Sequence, residues 1–276
     1  MSFDNQTLPF LKWPGGKRWI SKVLATLMRE KLVGTYYEPF LGGGSVFFAL
    51  QPQSAVISDA NEDLINTYRL VRDRTPDVIS LLKRLRVDRE TFDRMRAFEP
   101  QDPIRRAVRF LYLNRTAFGG IYRVNRDGRF NVPFGGGERT PEVLWRKSLL
   151  VQASELLSLS GVKIHQSDFE PIIELARRGD VVYCDPIYTV AHENNGFVRY
   201  NEKNFSWADQ VRLAKAVKRA SERGATVIIS NAEHRSIRQL YTGAAFQVLK
   251  RHSAISTDIS KRRAVRELLI FLSPPR

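Results

Sequence analysis

The sequence contains one cysteine, Cys184, and four scattered histidines. A single cysteine excludes an internal disulfide and a thiolate metal cluster, and the lack of a disulfide framework favours a reducing cytoplasm. The histidines have no spacing typical of metal ligands, so we expect no bound metal. The sequence therefore favours chemistry that uses neither a disulfide nor a metal ion.

Long apolar runs and targeting signals are also missing. No segment approaches the roughly 18 consecutive apolar residues that a membrane span needs, and we expect no membrane association. The first ten residues contain no basic stretch followed by an apolar run. With 276 residues, 43% of them hydrophobic, the chain suits one large domain or one domain with an insertion.

Acidic residues are scarce relative to basic ones. Forty-four Lys and Arg against 29 Asp and Glu give a net charge of +15. The imbalance is concentrated in residues 104–130, where arginines alternate with aromatic side chains and Asp127 is the single acid. Because arginine binds phosphates and aromatic rings stack on bases, this mixture predicts a nucleic-acid partner. The alternative is a basic protein with a solvated surface.

Strand and helix patterns alternate along most of the chain and predict an α/β fold. Residues 36–40 form a predicted strand that enters Gly42-Gly43-Gly44, a helix starts at Ser45, and a second strand ends at Asp59. This layout binds nucleosides in Rossmann-like sheets. A helix is predicted over about 17–31. Five later strands are predicted over 162–165, 181–184, 225–230, 246–250 and 267–272.

The glycine turn lacks two features of better-known nucleotide sites. A dinucleotide fingerprint requires glycine where Phe47 stands, and a phosphate loop requires Lys-Ser or Lys-Thr after the last glycine. Nicotinamide cofactors and ATP are therefore disfavoured, and a nucleoside without phosphates is favoured. Alternatively the turn binds no ligand, and Asp59 and Asp168 cap the helices that follow them.

Residues 62–153 differ in character from the rest of the chain. Arginine-rich helical patterns are followed by Asn125-Arg126-Asp127-Gly128, a turn signal between two short β-prone runs. We therefore predict that residues 62–153 are a mostly helical insertion carrying a β-hairpin. Residues 1–61 and 154–276 would form the two parts of the core domain. A capping box at Ser206 and Asp209 predicts a helix from Trp207 to about residue 223.

The apolar run Val181–Cys184 ends in Asp185-Pro186-Ile187-Tyr188. This segment places a carboxylate, a rigid backbone carbonyl and an aromatic ring at the carboxyl end of a strand, where open α/β sheets bind ligands. The combination suits chemistry on the amine of a flat base. Read alone, Asp185 is equally typical of a surface turn.

Several segments together carry a family resemblance. They are Phe10–Lys17, Glu38–Val46, Ser58–Asn61, Arg105–Gly135 and Tyr183–Tyr188. In this order they resemble Dam-type DNA adenine N6-methyltransferases over nearly the whole chain. The resemblance implies a Rossmann-like, seven-stranded methyltransferase sheet, S-adenosylmethionine as methyl donor and residues 62–153 as the DNA target-recognition domain. It also implies a cytoplasmic, monomeric enzyme of bacterial, archaeal or phage origin.

The resemblance assigns roles residue by residue. Catalysis is assigned to Asp185, Pro186 and Tyr188. Residues near the donor are expected to be Trp13, Lys17, Phe40, Gly42, Gly44, Ser45, Asp59, Asp168 and Asp185. Within this set, Asp59 is expected to hold the ribose hydroxyls, and Asp168 to lie beside the adenine ring of the donor.

Residues of the recognition segment are expected to contact double-stranded DNA. Lys12 and Arg123 match positions that contact guanines, and arginine fits guanine O6 and N7 with two hydrogen bonds. Phe118 stands where the family often wedges a tyrosine into the duplex, and Ile121 follows it in the same segment. Arg115 and its neighbouring arginines are assigned to phosphates. These matches predict a GATC-like site with relaxed selectivity.

Ile187 departs from the family pattern, which has proline at this position. A proline there would hold Pro186 in an extended conformation. Losing this restraint is expected to slow the enzyme several-fold rather than inactivate it. Two alternatives remain: a DNA- and donor-binding module whose catalysis is lost, and an adenine methylase acting on RNA or single-stranded DNA.

Overall fold

The computed structural model describes residues 7–125, 128–136, 140–189, 205–252 and 264–274. Its strands form a seven-stranded sheet in the order β3-β2-β1-β4-β5-β7-β6. They are β1 (Tyr36–Glu38), β2 (Ser54–Asp59), β3 (Gly161–Gln166), β4 (Val181–Cys184), β5 (Thr226–Ala232), β6 (Ala245–His252) and β7 (Ala264–Leu272). The predicted fold class is confirmed, because the β-rich runs of the sequence become strands at or near their predicted positions.

Strand direction determines which residues meet at each edge of the sheet. β4 is parallel to both β1 and β5, and β2 is parallel to β3. β7 is antiparallel to both of its neighbours, β5 and β6. As a result the amino end of β7 lies beside the carboxyl end of β5, where Glu267 pairs with Ala232.

Eleven α-helices lie within the described residues. They are α1 (Ser21–Arg29), α2 (Ser45–Leu50), α3 (Glu62–Asp73), α4 (Thr75–Lys83), α5 (Arg89–Ala97), α6 (Pro103–Thr116), α7 (Glu142–Trp145), α8 (Lys147–Leu157), α9 (Phe169–Ile173), α10 (Trp207–Glu222) and α11 (Arg235–Leu240). The predicted capping box of α10 is confirmed: Ser206 accepts a bond from the Asp209 backbone, and the Asp209 side chain accepts one from Ser206.

The chain divides into two compact units. Unit 1 comprises Met1–Glu30 and Leu41–Gln166, and unit 2 comprises Lys31–Phe40 and Ser167–Arg276. In unit 1, α3 packs against β2 and β3 as well as against α6 and α8. The helices of residues 62–153 are therefore continuous with part of the sheet in one compact unit, and the recognition domain stays a prediction.

Helix α1 is shorter than predicted and buries a different face. It begins at Ser21, and its buried residues are Ser21, Leu24, Ala25 and Met28. The apolar residues Ile20, Val23, Leu24 and Leu27 have the spacing of one helix face, yet Val23 is 56% exposed. The buried face includes the small residues Ser21 and Ala25, and α1 packs against the neighbouring helix α2.

The predicted hairpin is present only as isolated contacts in the described residues. Val124 forms an antiparallel bridge with Phe130, and Ala117 forms one with Phe134. The Asn125 carbonyl accepts a bond from the Gly128 N-H, which closes the turn. Gly128 has a φ of +76°, a conformation that glycine adopts without strain.

Candidate active site

Asp185 follows β4 directly, at the carboxyl edge of the sheet in unit 2. The Ser230 hydroxyl, on the neighbouring strand β5, donates a hydrogen bond to Asp185 Oδ1 at 2.9 Å. The Tyr183 hydroxyl lies 2.8 Å from Ser230 Oγ. Both Ser230 and Tyr183 are buried, whereas Asp185 is half-buried. The Asp185 carboxylate is thus partly accessible and is held in place by a buried hydroxyl on the neighbouring strand.

Tyr188 is held by a hydrogen bond to a buried acid, Glu267. Its hydroxyl donates to Glu267 Oε2 at 3.1 Å, and Glu267 lies at the amino end of β7. Glu267 is almost fully buried, and Tyr188 is half-buried. The phenol group is tethered, so the ring has a restricted range of orientations.

The loop after Asp185 is supported by two buried amides. Asn231 Nδ2 donates to Gln210 Oε1 at 3.1 Å, and Gln210 Nε2 approaches the Ile187 carbonyl oxygen at 3.5 Å. Gln210 and Asn231 have no exposed surface. Ile187 itself is 39% exposed. The carbonyl side of Ile187 therefore faces the core amides while its side chain remains accessible.

Cys184 does not supply a nucleophile. Burial raises the pKa of the Cys184 thiol well above its ordinary value, and the nearby carboxylates Glu38 and Asp185 raise it further. A thiol with a raised pKa is protonated at neutral pH and unreactive. Cys184 is a core residue with no exposed surface.

Three phenylalanine rings form an aromatic cluster in unit 2. Phe40 stacks on Phe169 with ring centroids 5.3 Å apart, and Phe205 meets Phe40 edge-on at 5.5 Å. The guanidinium of Arg212 lies 4.6 Å from the centre of the Phe169 ring. Arg212 also donates to Asp168 Oδ1 at 2.6 Å.

Asp168 has the alternative role considered for it. Its Oδ1 accepts the Glu170 N-H at 3.0 Å and so caps α9. The predicted contact between Asp168 and the methyl donor stays a prediction. The cap does not exclude it, because the carboxylate has further lone pairs that can accept hydrogen bonds.

The glycine turn of unit 1 is packed against Trp13. A Cβ atom added to Gly42 would lie 2.7 Å from Trp13 Cδ1, and one added to Gly43 would lie 2.9 Å from Trp13 Cβ. Gly42 and Gly44 also have positive φ values, +48° and +65°. Both the conformation and the close approach of the indole require glycine here.

Asp59 is held rigidly at the end of β2. Its Oδ2 accepts the Gly42 N-H at 3.0 Å, and its Oδ1 accepts the Asn61 N-H at 3.0 Å. Burial raises the pKa of Asp59, and backbone bonds from Asn61, Gly42 and Ala60 oppose the increase. The alternative reading of Asp59 as a helix cap is wrong, because Asn61 caps α3.

Two other residues assigned to the donor are buried in unit 1. Lys17 Nζ donates to the Gly15 carbonyl at 2.9 Å. Ser45 is the first residue of α2, directly after Gly44.

An aromatic stack joins the glycine turn to the arginine-rich segment 104–130. Trp13 stacks on Phe110 with ring centroids 6.3 Å apart, and the Phe110 and Tyr122 rings are 4.1 Å apart.

Asn114 fastens Lys12 to the recognition segment. Its Oδ1 accepts the Lys12 N-H at 3.0 Å, and its Nδ2 donates to the Lys12 carbonyl at 2.7 Å and to the Gly120 carbonyl at 3.3 Å. Asn114 is fully buried, whereas the Lys12 side chain is exposed. A Cβ on Gly120 would lie 2.8 Å from Lys12 Cβ.

The other predicted base readers lie around the hairpin. Phe118 is 51% exposed, so its ring is accessible to a partner. Arg123 and Ile121 are half-buried. Arg123 Nε donates to Asn131 Oδ1 at 2.8 Å, which orients the guanidinium plane. Phe118, Ile121 and Arg123 thus lie on one segment of unit 1, and Asn114 ties the Lys12 backbone to that segment.

The structure corrects the assignment of Arg115 to DNA phosphates. Arg115 is 3% exposed, and its guanidinium donates to the Phe10 carbonyl. Burial, with the nearby charges of Arg146 and Arg18, lowers the pKa of Arg115 to about 9. A side chain enclosed in this way cannot reach a phosphate group.

The neighbouring arginines have separate roles. Arg106 forms ion pairs with Asp63 at 2.6 Å and Glu62 at 2.8 Å. Arg109 donates to the carbonyls of Met95 and Arg96. Arg105 and Arg129 are exposed. The arginine-rich segment is therefore part scaffold and part surface, and Arg126 lies outside the described residues.

Several residues of the site were missed by sequence reasoning. They are Tyr183, Ser230, Asn231, Gln210, Glu267, Asn114 and Asn131. The available signal was a polar residue inside an otherwise apolar strand: Ser230 and Asn231 lie near the carboxyl end of β5, and Glu267 precedes the apolar part of β7. Such residues are buried and require partners.

The described residues contain neither a membrane-spanning helix nor a cluster of metal-ligating side chains. None of the helices there has both the length and the apolar character to cross a membrane. Within the same residues, no three His, Cys, Asp or Glu side chains are grouped as a metal ion would require.

Comparison with known proteins addresses the family directly. The model of the D12 class N6 adenine-specific DNA methyltransferases matches residues 13–255. The chain is 36% identical to the Type II methyltransferase M1.LlaDCHI of Lactococcus lactis subsp. cremoris, covering 95% of this chain and 94% of that protein. It is 33% identical to the DNA adenine methylase of Escherichia coli K12, covering 96% and 95%. The predicted family is confirmed: the chain belongs to the D12 class N6 adenine-specific DNA methyltransferases.

Proposed function

We propose that the protein transfers a methyl group from S-adenosylmethionine to N6 of an adenine in double-stranded DNA, at a GATC-like site. Family membership supports the reaction class. The observation that carries the assignment of residues is Asp185, a half-buried carboxylate held by Ser230 at the end of β4. An acceptor fixed in this way suits the amine of a base.

The donor is assigned to Trp13, Gly42, Gly44 and Asp59, with Phe40 and Asp168. The residues present fit a nucleoside. Asp59 Oδ2 accepts the Gly42 N-H and Oδ1 accepts the Asn61 N-H, and Ala60 adds a third backbone bond. The lone pair that remains on the carboxylate can accept a ribose hydroxyl. When bound, S-adenosylmethionine supplies an electrophilic methyl group on a positively charged sulfur.

The target base is assigned to Asp185, Pro186 and Tyr188. The lone pair of adenine N6 is delocalised into the ring, so N6 is a poor nucleophile. The Asp185 carboxylate and the Pro186 carbonyl each accept one N6 hydrogen and stabilise the positive charge that develops on nitrogen. Asp185 then accepts the proton that N6 loses.

Tyr188 positions the base. A paired adenine cannot reach the methyl carbon, so the target must leave the duplex. The Tyr188 ring, restrained through Glu267, offers a stacking surface for the extruded base. Holding both reactants in a productive geometry supplies much of the remaining acceleration.

Sequence selectivity is assigned to Lys12 and Arg123, with Phe118 as the wedge and Ile121 beside it. Arg123 keeps its two terminal nitrogens on one edge of a guanidinium oriented by Asn131, the arrangement that reads guanine O6 and N7. Arg105 and Arg129, as exposed arginines, are better placed for phosphates than Arg115. The basic composition supports an electrostatic contribution to binding.

Transfer from labelled donor to defined duplexes tests the proposal. Duplexes carrying adenine in GATC should accept label, and duplexes already carrying N6-methyladenine should not. Asp185→Ala should abolish transfer while donor and DNA still bind. Tight binding without transfer by the unaltered protein would support a binding module instead, and equal labelling of duplexes lacking GATC would remove the selectivity assignment.

Matched substrates separate the remaining alternative. Single-stranded DNA and RNA of the same sequence should accept label at least tenfold more slowly than the duplex, because Phe118 is assigned to wedge into stacked base pairs. Equal or faster labelling of either single strand would contradict the duplex assignment.

A further inference from the structure

We propose that Ser230 is a positioning residue that orients the Asp185 carboxylate for methyl transfer, and that Tyr183 holds the Ser230 hydroxyl in place through a hydrogen bond. The inference rests on the proposed function of Asp185. Ser230 is 1% exposed, so its hydroxyl is dedicated to partners inside the protein. Those partners include Asp185 at 2.9 Å and Tyr183 at 2.8 Å.

The direction of the hydrogen bonds follows from the inventory of donors. A serine hydroxyl carries a single hydrogen, and an ionised carboxylate only accepts. If Ser230 donates to Asp185 Oδ1, the bond between Ser230 and Tyr183 must have the Tyr183 hydroxyl as donor. The chain therefore runs from Tyr183 to Ser230 to Asp185. Hydrogen bonds in such chains polarise and strengthen one another.

The backbone of the chain is fixed by strand pairing. Cys184 pairs with Ile229 in the parallel ladder of β4 and β5; Asp185 follows Cys184 just beyond β4, and Ser230 follows Ile229 within β5. On its other side, Ser230 pairs with Leu269 of β7. Ser230 thus sits on a central strand that cannot shift without disrupting two ladders. The hydroxyl is a rigid reference point for the first residue of a loop.

Orientation matters because the proposed reaction uses a carboxylate in a defined direction. Asp185 lies just beyond β4, where strand pairing no longer fixes the backbone. A free carboxylate rotates about χ2, since terminal torsions of this kind are broad. Fixing Oδ1 from β5 determines the plane of the carboxylate and hence the direction of its lone pairs. Ser230 does not contact the base in this proposal and acts through Asp185.

Steady-state methylation by full-length variants tests the inference. Ser230→Ala should lower kcat roughly 10-fold to 100-fold, the scale of loss from misplacing a reacting group. The KM for donor and the Kd for duplex should change less than about threefold, since Ser230 is assigned to neither. Tyr183→Phe leaves the Ser230 hydroxyl in place and should lower kcat by only about threefold.

Ser221 provides a matched control. It is another buried serine of unit 2, and its hydroxyl donates to the Ser273 carbonyl at 2.8 Å. Ser221→Ala should lower thermal stability to a similar extent and leave kcat unchanged. An equal loss of kcat in both variants would mean that general destabilisation explains the effect, and would overturn the proposal.

Two further measurements test whether Ser230 acts through its hydroxyl on Asp185: activity of a threonine variant, and extrusion of the target base. Ser230→Thr keeps the hydroxyl and should recover most of the activity lost in Ser230→Ala. Duplexes with 2-aminopurine at the target should still brighten on binding to Ser230→Ala, because extrusion is upstream of the carboxylate. Wild-type kcat in a folded Ser230→Ala refutes the inference. An unaltered protein without any transfer would instead refute the function of Asp185.

Discussion

Replacing Ile187 by proline tests how the loop after β4 is restrained. Proline would fix φ at position 187 and steer Pro186 towards an extended conformation. It would keep the carbonyl that Gln210 approaches at 3.5 Å, so this support should survive. The side chain of Ile187 is 39% exposed, which leaves room for a pyrrolidine ring. We therefore expect the substitution to be accommodated.

The magnitude follows from chain stiffening. Substitutions by proline at compatible positions are worth about 0.4 to 1 kcal/mol. Because about 1.4 kcal/mol corresponds to tenfold in rate, Ile187→Pro should raise kcat roughly twofold to fivefold if the full effect reaches the transition state. Single-turnover methylation of a GATC duplex with enzyme in excess measures this step without interference from product release.

Two further variants complete the test. Ile187→Ala shortens the side chain without fixing φ and should give no increase. Gln210→Leu removes the amide that approaches the Ile187 carbonyl and leaves Asn231 Nδ2 without its acceptor, so we expect a loss of roughly 1 to 3 kcal/mol in unfolding free energy and a slower reaction. A decrease in single-turnover rate for Ile187→Pro, with normal folding and binding, would refute the restraint argument.

Three other predictions concern unit 1. Asp59→Asn should weaken donor binding on the order of tenfold in calorimetry, with DNA affinity retained; an unchanged Kd for the donor would contradict the assignment of Asp59. Asn131→Ala frees the Arg123 guanidinium and should reduce the preference for GATC over sites with a substituted guanine about tenfold, which competition between duplexes measures. Equal preference in the variant and the parent would exclude orientation by Asn131. Arg115→Met should leave the salt dependence of DNA binding unchanged, whereas Arg105→Ala should lower its slope by about one; a reduced slope for Arg115→Met would restore the phosphate assignment.

The sheet was predictable because its signal is local. The β4 segment Val181–Cys184 and the strands around it are short apolar runs bounded by turn residues, and their length and β-branched and aromatic content favour strands over helices. The capping box at Ser206 and Asp209 is likewise contained within four residues. The family motifs then placed Asp185 at a strand end, where it is found.

The supporting residues were not predictable in the same way. Ser230 and Glu267 become partners of Asp185 and Tyr188 only through strand pairing between segments far apart in sequence. A serine or a glutamate within a strand gives no indication of which side chain it will meet. Knowledge of strand order was required.

Arg115 failed for the opposite reason. Composition placed it among surface arginines, but helical spacing puts it on the same face of α6 as Val108, Leu111 and Tyr112, all of which are buried. The helical periodicity of the apolar residues within 104–116 indicates that Arg115 is buried, whereas the count of positive charges gives no such indication. Charge clusters therefore need to be sorted by helix face before they are assigned to DNA.

The reversed direction of β7 has a consequence for biosynthesis. Because β7 runs antiparallel to β5, Glu267 lies at the carboxyl edge of the sheet and restrains Tyr188, which is made 79 residues earlier. A nascent chain on the ribosome can therefore contain every proposed catalytic residue and still lack the tether for its aromatic ring. The hydrogen bond that restrains the Tyr188 ring can form only after β7 has emerged and joined the sheet.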